Sequence, residues 1–197
     1  MRPSCAGLAA LAVLAFAPVS SRAQPVSGGS GPATYLELHA GAVVPQYDDL
    51  DAFGTGFSVG GTFGARFTRY LSIEGELAYW QTSVSEAGVD ERIAVLPLTA
   101  SLRVRMPLSF VELSAFGGAG LHAAWLTARG GTGATPVDVS ENDAAFGFHV
   151  GAALAFQLSP TILAGAEVRR TFVAVDFAGT EVQLDGLRLA LTLAYLF

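Results

Sequence analysis

Histidine, serine and the charged side chains are the residues with the reach to do chemistry here. Three histidines occur, His39, His122 and His149. A metal or general-base role would need a second ligand or a carboxylate at a workable offset. None has an evident one. In "FHVGA" the residue two beyond His149 is Gly151, and the Ser140–Glu141 pair of "DVSEND" sits in a polar stretch where such pairs are commonplace. Glycine tracts such as "GGAG" and "ARGGTG" do not follow a strand and open a helix, so they are not phosphate loops. No catalytic, cofactor-binding or metal residue is assigned, no cofactor is expected, and the histidines are expected to hydrogen-bond within the fold.

A larger set is ionic. Glu37, Glu74, Glu76, Glu112 and Glu167 are matched in number by Arg66, Arg103, Arg105, Arg169 and Arg188. Each stands in a run where polar or small residues alternate with apolar ones. A strand sends successive side chains to opposite faces, so the elements carrying these charges are strands with one oily face and one ionic face. The closing run "GLRLALTLAYLF" is typical: Leu187, Leu189, Leu191, Leu193, Tyr195 and Phe197 alternate with Arg188, Ala190, Thr192 and Ala194.

The same alternation runs through "YLELHAGAVV", "GFSVGGTFGARF", "LSIEGELAYW", "VLPLTASLRVR", "FVELSAFGGAGLH", "AFGFHVGAALAFQL" and "TILAGAEVRRTF". With the closing run this predicts eight strands of about ten residues, the length a tilted strand needs to cross a bilayer. Only "TRY", "PLS" and "SP" separate strands two and three, four and five, and six and seven; the other connections are longer and polar. Short turns on one side and long loops on the other define an up-and-down barrel, whereas a Greek-key sandwich would lack that regularity. An even strand number puts both ends of the barrel on the short-turn side.

The ionic face is expected to line the lumen. An unpaired charge in a narrow interior costs several kcal/mol, so five acids and five arginines suit an enclosed space better than a solvated surface. Partners are expected on adjacent strands: Glu74 and Glu76 between Arg66 and the Arg103/Arg105 pair, Glu112 opposite Arg103, and Arg188 against Glu37 and Glu167. All three histidines share this inward parity. Gly56, Ser58, Gly60, Gly118, Gly120, Gly147 and Gly151 would leave room for a guest in the loop-side half of the lumen.

Outside, two aromatic belts are expected. Phe67, Tyr70, Phe110, Phe156, Tyr195 and Phe197 fall near the short turns, and Phe57, Tyr79, Trp80, Trp125, Phe146 and Phe172 toward the long loops. The loops are acidic: Asp48, Asp49, Asp51, Glu86, Asp90, Glu91, Asp138, Glu141, Asp143, Asp176, Glu181 and Asp185 face only Arg92 and Arg129. "YDDLD" could take a divalent cation bridging to anionic lipopolysaccharide, although a plain solvated loop is the simpler expectation.

Composition agrees. The chain of 197 residues is 51% hydrophobic and only 14% charged, yet beyond the N-terminus it has no apolar run of the roughly 18 residues a spanning helix requires. Residues 1–23 read as a secretory signal peptide, with Arg2, the apolar "AGLAALAVLAFA" and a cut after Ala23. The single cysteine, Cys5, would leave with it, excluding disulfides and thiol catalysis from the mature chain. Loss of Arg2 and Arg22 leaves nine basic residues against 17 acidic ones, a net charge of about −8. With no lysine and no basic patch, a nucleic-acid partner is not expected. Residues 24–34 read as a flexible linker and 35–197 as the barrel.

From Tyr35 to Phe197 the chain resembles the small outer-membrane β-barrel family, the eight-stranded OmpA/OmpX type. The carriers are "YLELHAGAVVP", "GAEVRRTF" and the terminal "LALTLAYLF". The resemblance implies an all-β, eight-stranded antiparallel up-and-down transmembrane β-barrel in a Gram-negative outer membrane, with both barrel termini periplasmic. It also implies that the aromatic end, Tyr195 and Phe197, is read by the barrel-assembly machinery. Some members of such barrels are lipid A-modifying hydrolases, but the deacylase type carries a His-x-Ser element that Gly151 interrupts here. The expectation is therefore a non-enzymatic, monomeric barrel, its lumen plugged by charge, with outer-membrane lipid and lipopolysaccharide as partners. A small channel or hydrophobic-ligand conduit is the alternative, and a lipid A hydrolase the third reading.

Overall fold

The computed structural model describes residues 33–46, 53–86, 89–130, 137–177 and 179–197. The expected signal peptide, nearly all of the expected linker and the acidic residues Asp48, Asp49 and Asp51 lie outside them. Period-two alternation becomes strand throughout: β1 (Ala33–Pro45), β2 (Gly56–Arg66), β3 (Leu71–Glu86), β4 (Val89–Leu108), β5 (Val111–Gly130), β6 (Val137–Gln157), β7 (Ile162–Phe172), β8 (Ala174–Phe177), β9 (Thr180–Gln183) and β10 (Gly186–Leu196). Eight of them close a barrel in the order β1-β10-β7-β6-β5-β4-β3-β2, while β8 and β9 form a separate two-stranded sheet. Every neighbouring pair in the barrel is antiparallel.

Two departures from the sequence reading matter. β3, β4, β5 and β6 have 16, 20, 20 and 21 residues rather than about ten. Stretches read as loops are therefore extended strand: Asp90 pairs with Arg129, and Leu126 with Glu141. The barrel has a tall wall of four strands beside a low wall of 11–13-residue strands. Hairpin continuation satisfies backbone N–H and C=O groups that an irregular loop would leave to water. The second departure is the connection after β7, which contains its own hairpin, β8–β9.

The short turns lie where expected and are tighter in one case. β4 runs through "PL" to Leu108 and β5 begins at Val111, so the turn is Ser109–Phe110, with Ser109 at φ 58°. Both ends of the barrel meet at this rim, where the Phe197 N–H donates to the Thr34 carbonyl at 2.9 Å. β1 starts at Ala33, two residues before the expected boundary.

The wall is apolar outside. Leu38, Leu98 and Leu191 are 57%, 57% and 73% exposed, while Glu74, Glu76, Arg103 and Glu167 are buried. A sheet with leucines outside and carboxylates inside is inverted relative to a soluble barrel, and lipid is the solvent that makes it stable. Among the described residues no helix is long and apolar enough to cross a membrane; the crossing is made by strands.

Candidate functional site: the filled lumen

Inward parity delivers all ten charged residues of the sequence reading to the lumen, in two groups. Nearer the short turns are Glu37, Glu74, Glu112, Arg66, Arg103 and Arg105. Arg103 Nε stands 2.5 Å from Glu74 Oε1, and its Nη2 lies 3.3 Å from Glu167 and 3.7 Å from Glu37. Arg105 binds Glu112 and the Tyr35 hydroxyl closely, and reaches Glu74 at 3.1 Å. Arg66 Nη2 lies 3.3 Å from Glu112 Oε2. Tyr35 also donates its hydroxyl to Glu74.

Nearer the long loops are Glu76, Glu167, Arg169 and Arg188. Arg169 grips both oxygens of Glu76, at 2.6 and 2.5 Å. Arg188 donates to Glu76 at 3.0 and 3.2 Å and to Glu167 at 2.6 Å. Each group is neutral, three acids with three arginines below and two with two above, and Arg103 links them through Glu167. Burying ions without full pairing is costly, and two-point guanidinium–carboxylate contacts are the geometry that offsets it best.

The expected pairings hold only in part. Glu74 does meet Arg103 and Arg105 of the adjacent strand. Arg66, however, passes Glu74 and Glu76 and reaches Glu112 three strands away; Glu112 lies opposite Pro107, not Arg103; and Arg188 contacts Glu167 but takes Glu76 rather than Glu37. In a cylinder this narrow, side chains as long as arginine reach across the axis as easily as to the next strand. Adjacency along the sheet alone does not select the partner.

Phe116 and Tyr35 are not singled out by the sequence, although both share the parity of the charges beside them. The Phe116 ring lies between two guanidinium groups, with Arg103 Cζ 4.6 Å and Arg169 Cζ 5.0 Å from its centroid. Such stacking adds attraction to packing when the cation is desolvated. The ring occupies the space beside Gly151, where a Cβ would collide with it; likewise Tyr35 fills the space at Gly64, His39 that at Gly60, and Ser101 with its backbone that at Gly118. Much of the room expected for a guest is thus taken by this chain's own side chains, and a small cavity remains beside Glu76, Thr99, His122, His149 and Arg169.

The three histidines lie inside, and His122 and His149 line one small cavity together with Glu76, Thr99 and Arg169. His39 is 3.1 Å from Arg188 Nη1, His149 Nε2 is 2.7 Å from Ser101 Oγ, and neither ring nitrogen of His122 has a hydrogen-bond partner among the described residues. Among the described residues no three His, Cys, Asp or Glu gather as a metal site would require. Ser140 pairs in register with Thr127 on extended strand, so no serine–histidine pair is assembled there.

Above the upper ionic group the lumen turns apolar. Val173, Val175, Phe177 and Leu184, from the connection that carries β8 and β9, pack against Ile93, Val95 and Ala124 of the tall wall. Trp80 packs on the same cluster, facing inward rather than joining the outer aromatic belt as expected. Polar ties seat this stopper: the Val173 N–H donates to Asp185 Oδ1 at 2.9 Å, the Leu184 N–H to the Val173 carbonyl at 2.8 Å, and the Asp176 N–H to Asp143 Oδ2 at 2.7 Å. The sequence signal for it is "FVAVDF", whose Val173, Val175 and Phe177 alternate like a short strand. At the other end Tyr35, Leu163, Ala194 and Leu196 form a second apolar cluster.

An inverted, closed eight-stranded barrel with ionic pairs inside and leucines outside is a membrane-spanning barrel. A profile of the outer membrane protein β-barrel domain matches residues 5–197, and the chain belongs to that family. Among solved structures it is similar to Neisserial surface protein A, with 16% identity, a TM-score of 0.61, and coverage of 85% of this chain and 99% of that one. It is also similar to a major outer membrane protein from Thermus thermophilus, with 15% identity, a TM-score of 0.54, and coverage of 84% and 99%. No curated protein matches the sequence. At these identities the likeness is one of fold.

Proposed function

We propose that the protein is a non-enzymatic, non-conducting barrel of the outer membrane that presents its tall wall and acidic rim outside the cell. The observation that carries this reading is how much of the lumen this chain's own side chains occupy: an apolar cluster, two neutral ionic groups and an apolar stopper follow one another, with only small cavities between them. An eight-stranded barrel is only wide enough for its side chains to fill, and here the gaps left by glycine are taken by Phe116, Tyr35 and His39.

Export through a signal peptide ending at Ala23 and periplasmic placement of both barrel termini belong to the same reading. So do action as a monomer, contact with outer-membrane lipid and lipopolysaccharide, and use of Tyr195 and Phe197 by the assembly machinery. Supporting the last, Tyr195 and Phe197 are half-exposed on the outer wall, with ring centroids 5.2 Å apart. Planar-bilayer recording tests the function directly. A folded, heat-modifiable sample should be electrically silent, and a reproducible unit conductance would overturn the plugged reading.

A further inference from the structure

Arginine is the only basic residue type besides histidine, and its placement is selective. Five arginines lie in the lumen. Arg69 lies in a short turn, stacked over Tyr70 at 4.5 Å. Arg92 and Arg129 project outward from the extended parts of β4 and β5, above the loop-side aromatics. Arg170 differs from all of these. It projects outward from β7 one step inside Phe172, next to Val150 of β6 and Leu187 of β10. Among the described residues it is the only charged side chain on the outer wall between the two aromatic belts. Its neighbours there, Phe148, Val150 and Phe172, are exposed and apolar.

The Arg170 guanidinium rests over the Phe172 ring, 5.2 Å from its centroid. Phe172 is two residues nearer the loop rim, so the side chain climbs toward the membrane surface as a cation in lipid must. Stacking occupies one face of the guanidinium, and among the described residues none accepts a hydrogen bond from the N–H groups along its edge. Among the described residues no carboxylate lies on the outer face beside it, because the nearby acid Asp185 is turned inward to accept the Val173 N–H. A planar fork of donors at headgroup depth, above a wall of exposed apolar side chains, matches one chemistry: a phosphate whose acyl chains lie along that wall.

We propose that Arg170, stacked on Phe172, binds a phosphate of the lipid A glycolipid in the leaflet at the loop rim. The choice of glycolipid over a glycerophospholipid rests on the proposed orientation, which turns the loop rim toward the cell exterior. Placement of the acids supports an outer-wall site. Glu91 and Asp143 have inward parity over the mouth and Asp185 is buried against the Val173 N–H, so none of the three stands on the wall beside Arg170.

The test uses purified folded protein in detergent, titrated separately with lipid A and with phosphatidylglycerol, bound lipid being counted by native mass spectrometry. Wild type should retain lipid A in preference to phosphatidylglycerol. Arg170→Gln should weaken retention about tenfold, the effect of losing one charge-assisted contact of about 1.4 kcal/mol. Arg170→Lys should recover part of it, and Arg69→Gln at the opposite rim should bind like wild type. Equal binding by Arg170→Gln, or an equal loss in Arg69→Gln, would overturn the site; equal retention of phosphatidylglycerol would overturn the glycolipid assignment. Orientation is read separately by thiol labelling of a cysteine placed at Gly179 in whole cells, so a wrong orientation and a wrong site give different results.

Discussion

Arg169 of β7 and Glu76 of β3 stand on opposite sides of the barrel, four strands apart by either route, yet their side chains meet in a two-point contact at 2.6 and 2.5 Å. The pair braces the cylinder across its diameter. Glu76 also holds Arg188, so one carboxylate serves two buried guanidinium groups.

Removing the shared acid should therefore cost more than removing either base. Glu76→Leu leaves Arg169 and Arg188 both short of a partner, whereas Arg169→Leu strands one carboxylate that Arg188 still serves. Breaking a buried pair costs about 3–5 kcal/mol, and Glu76→Leu should exceed Arg169→Leu in urea unfolding from lipid vesicles. The reverse order would show that the brace is not what holds this layer.

Charge removal inside and outside the lumen should differ. Arg103→Leu deprives Glu37, Glu74 and Glu167 of a partner and should cost about 3–5 kcal/mol. Arg129→Leu alters an exposed residue and should stay within about 1 kcal/mol. Heat-modifiable gel migration and vesicle unfolding of the two variants check this, and equal behaviour would count against the lumen's role in stability.

Glycines facing the two sides of the wall should respond oppositely. A Cβ at Gly151 meets the Phe116 ring and the Val168 carbonyl, while one at Gly75 meets nothing within 4 Å. Gly151→Ala should destabilise by about 1–3 kcal/mol through overpacking. Gly75→Ala should be neutral or slightly stabilising, since it removes chain freedom without a clash. The same unfolding assay reads both.

On the proposed plugged reading, the stopper and the ionic groups each close the lumen. Val175→Asp should unseat the β8–β9 hairpin, because Val175 is 1% exposed within an apolar cluster that offers a carboxylate no partner. Limited proteolysis should then cut between residues 173 and 185 faster than in wild type. Conductance should remain absent, since the Glu76–Arg169–Arg188 group lies beneath. An open channel in this single variant would assign the seal to the hairpin alone.

One tie of the stopper should depend on pH. The backbone N–H groups of Asp176 and Ala144 donate to the exposed Asp143 carboxylate and hold its pKa below the ordinary aspartate value. A lowered folded-state pKa means that the contact is fully present above the ordinary value and is lost as pH falls through the lowered one. Amide exchange at Asp176, corrected for its intrinsic pH dependence, should lose protection only at strongly acid pH. Asp143→Asn should remove that step, and an unchanged profile would show that the tie does not protect the amide.

Legibility differs by length scale. Parity along each run reveals the eight barrel strands, the outward leucines and the inward position of residues such as Glu37 and Arg188, because period two is a local property of an extended chain. It does not reveal strand ends. "VDERIA" and "VDVSEND" are polar on both faces, as loops are, and become strand only because neighbouring chains of the tall wall extend with them. Trp80 reads as a belt residue from its position near a strand end, while its parity, shared with Glu74 and Glu76, points inward.

What the sequence determined by itself is therefore the barrel and its polarity: alternation fixes which side chains share a face, and the balance of five acids with five arginines fixes which face must be enclosed. What only the tertiary structure decided is who meets whom inside. Arg66 with Glu112 and Arg169 with Glu76 are contacts across the axis, and Phe116 sits between one guanidinium from the adjacent strand and one from two strands away. They depend on closure, curvature and the stagger of the strands, which no single strand encodes.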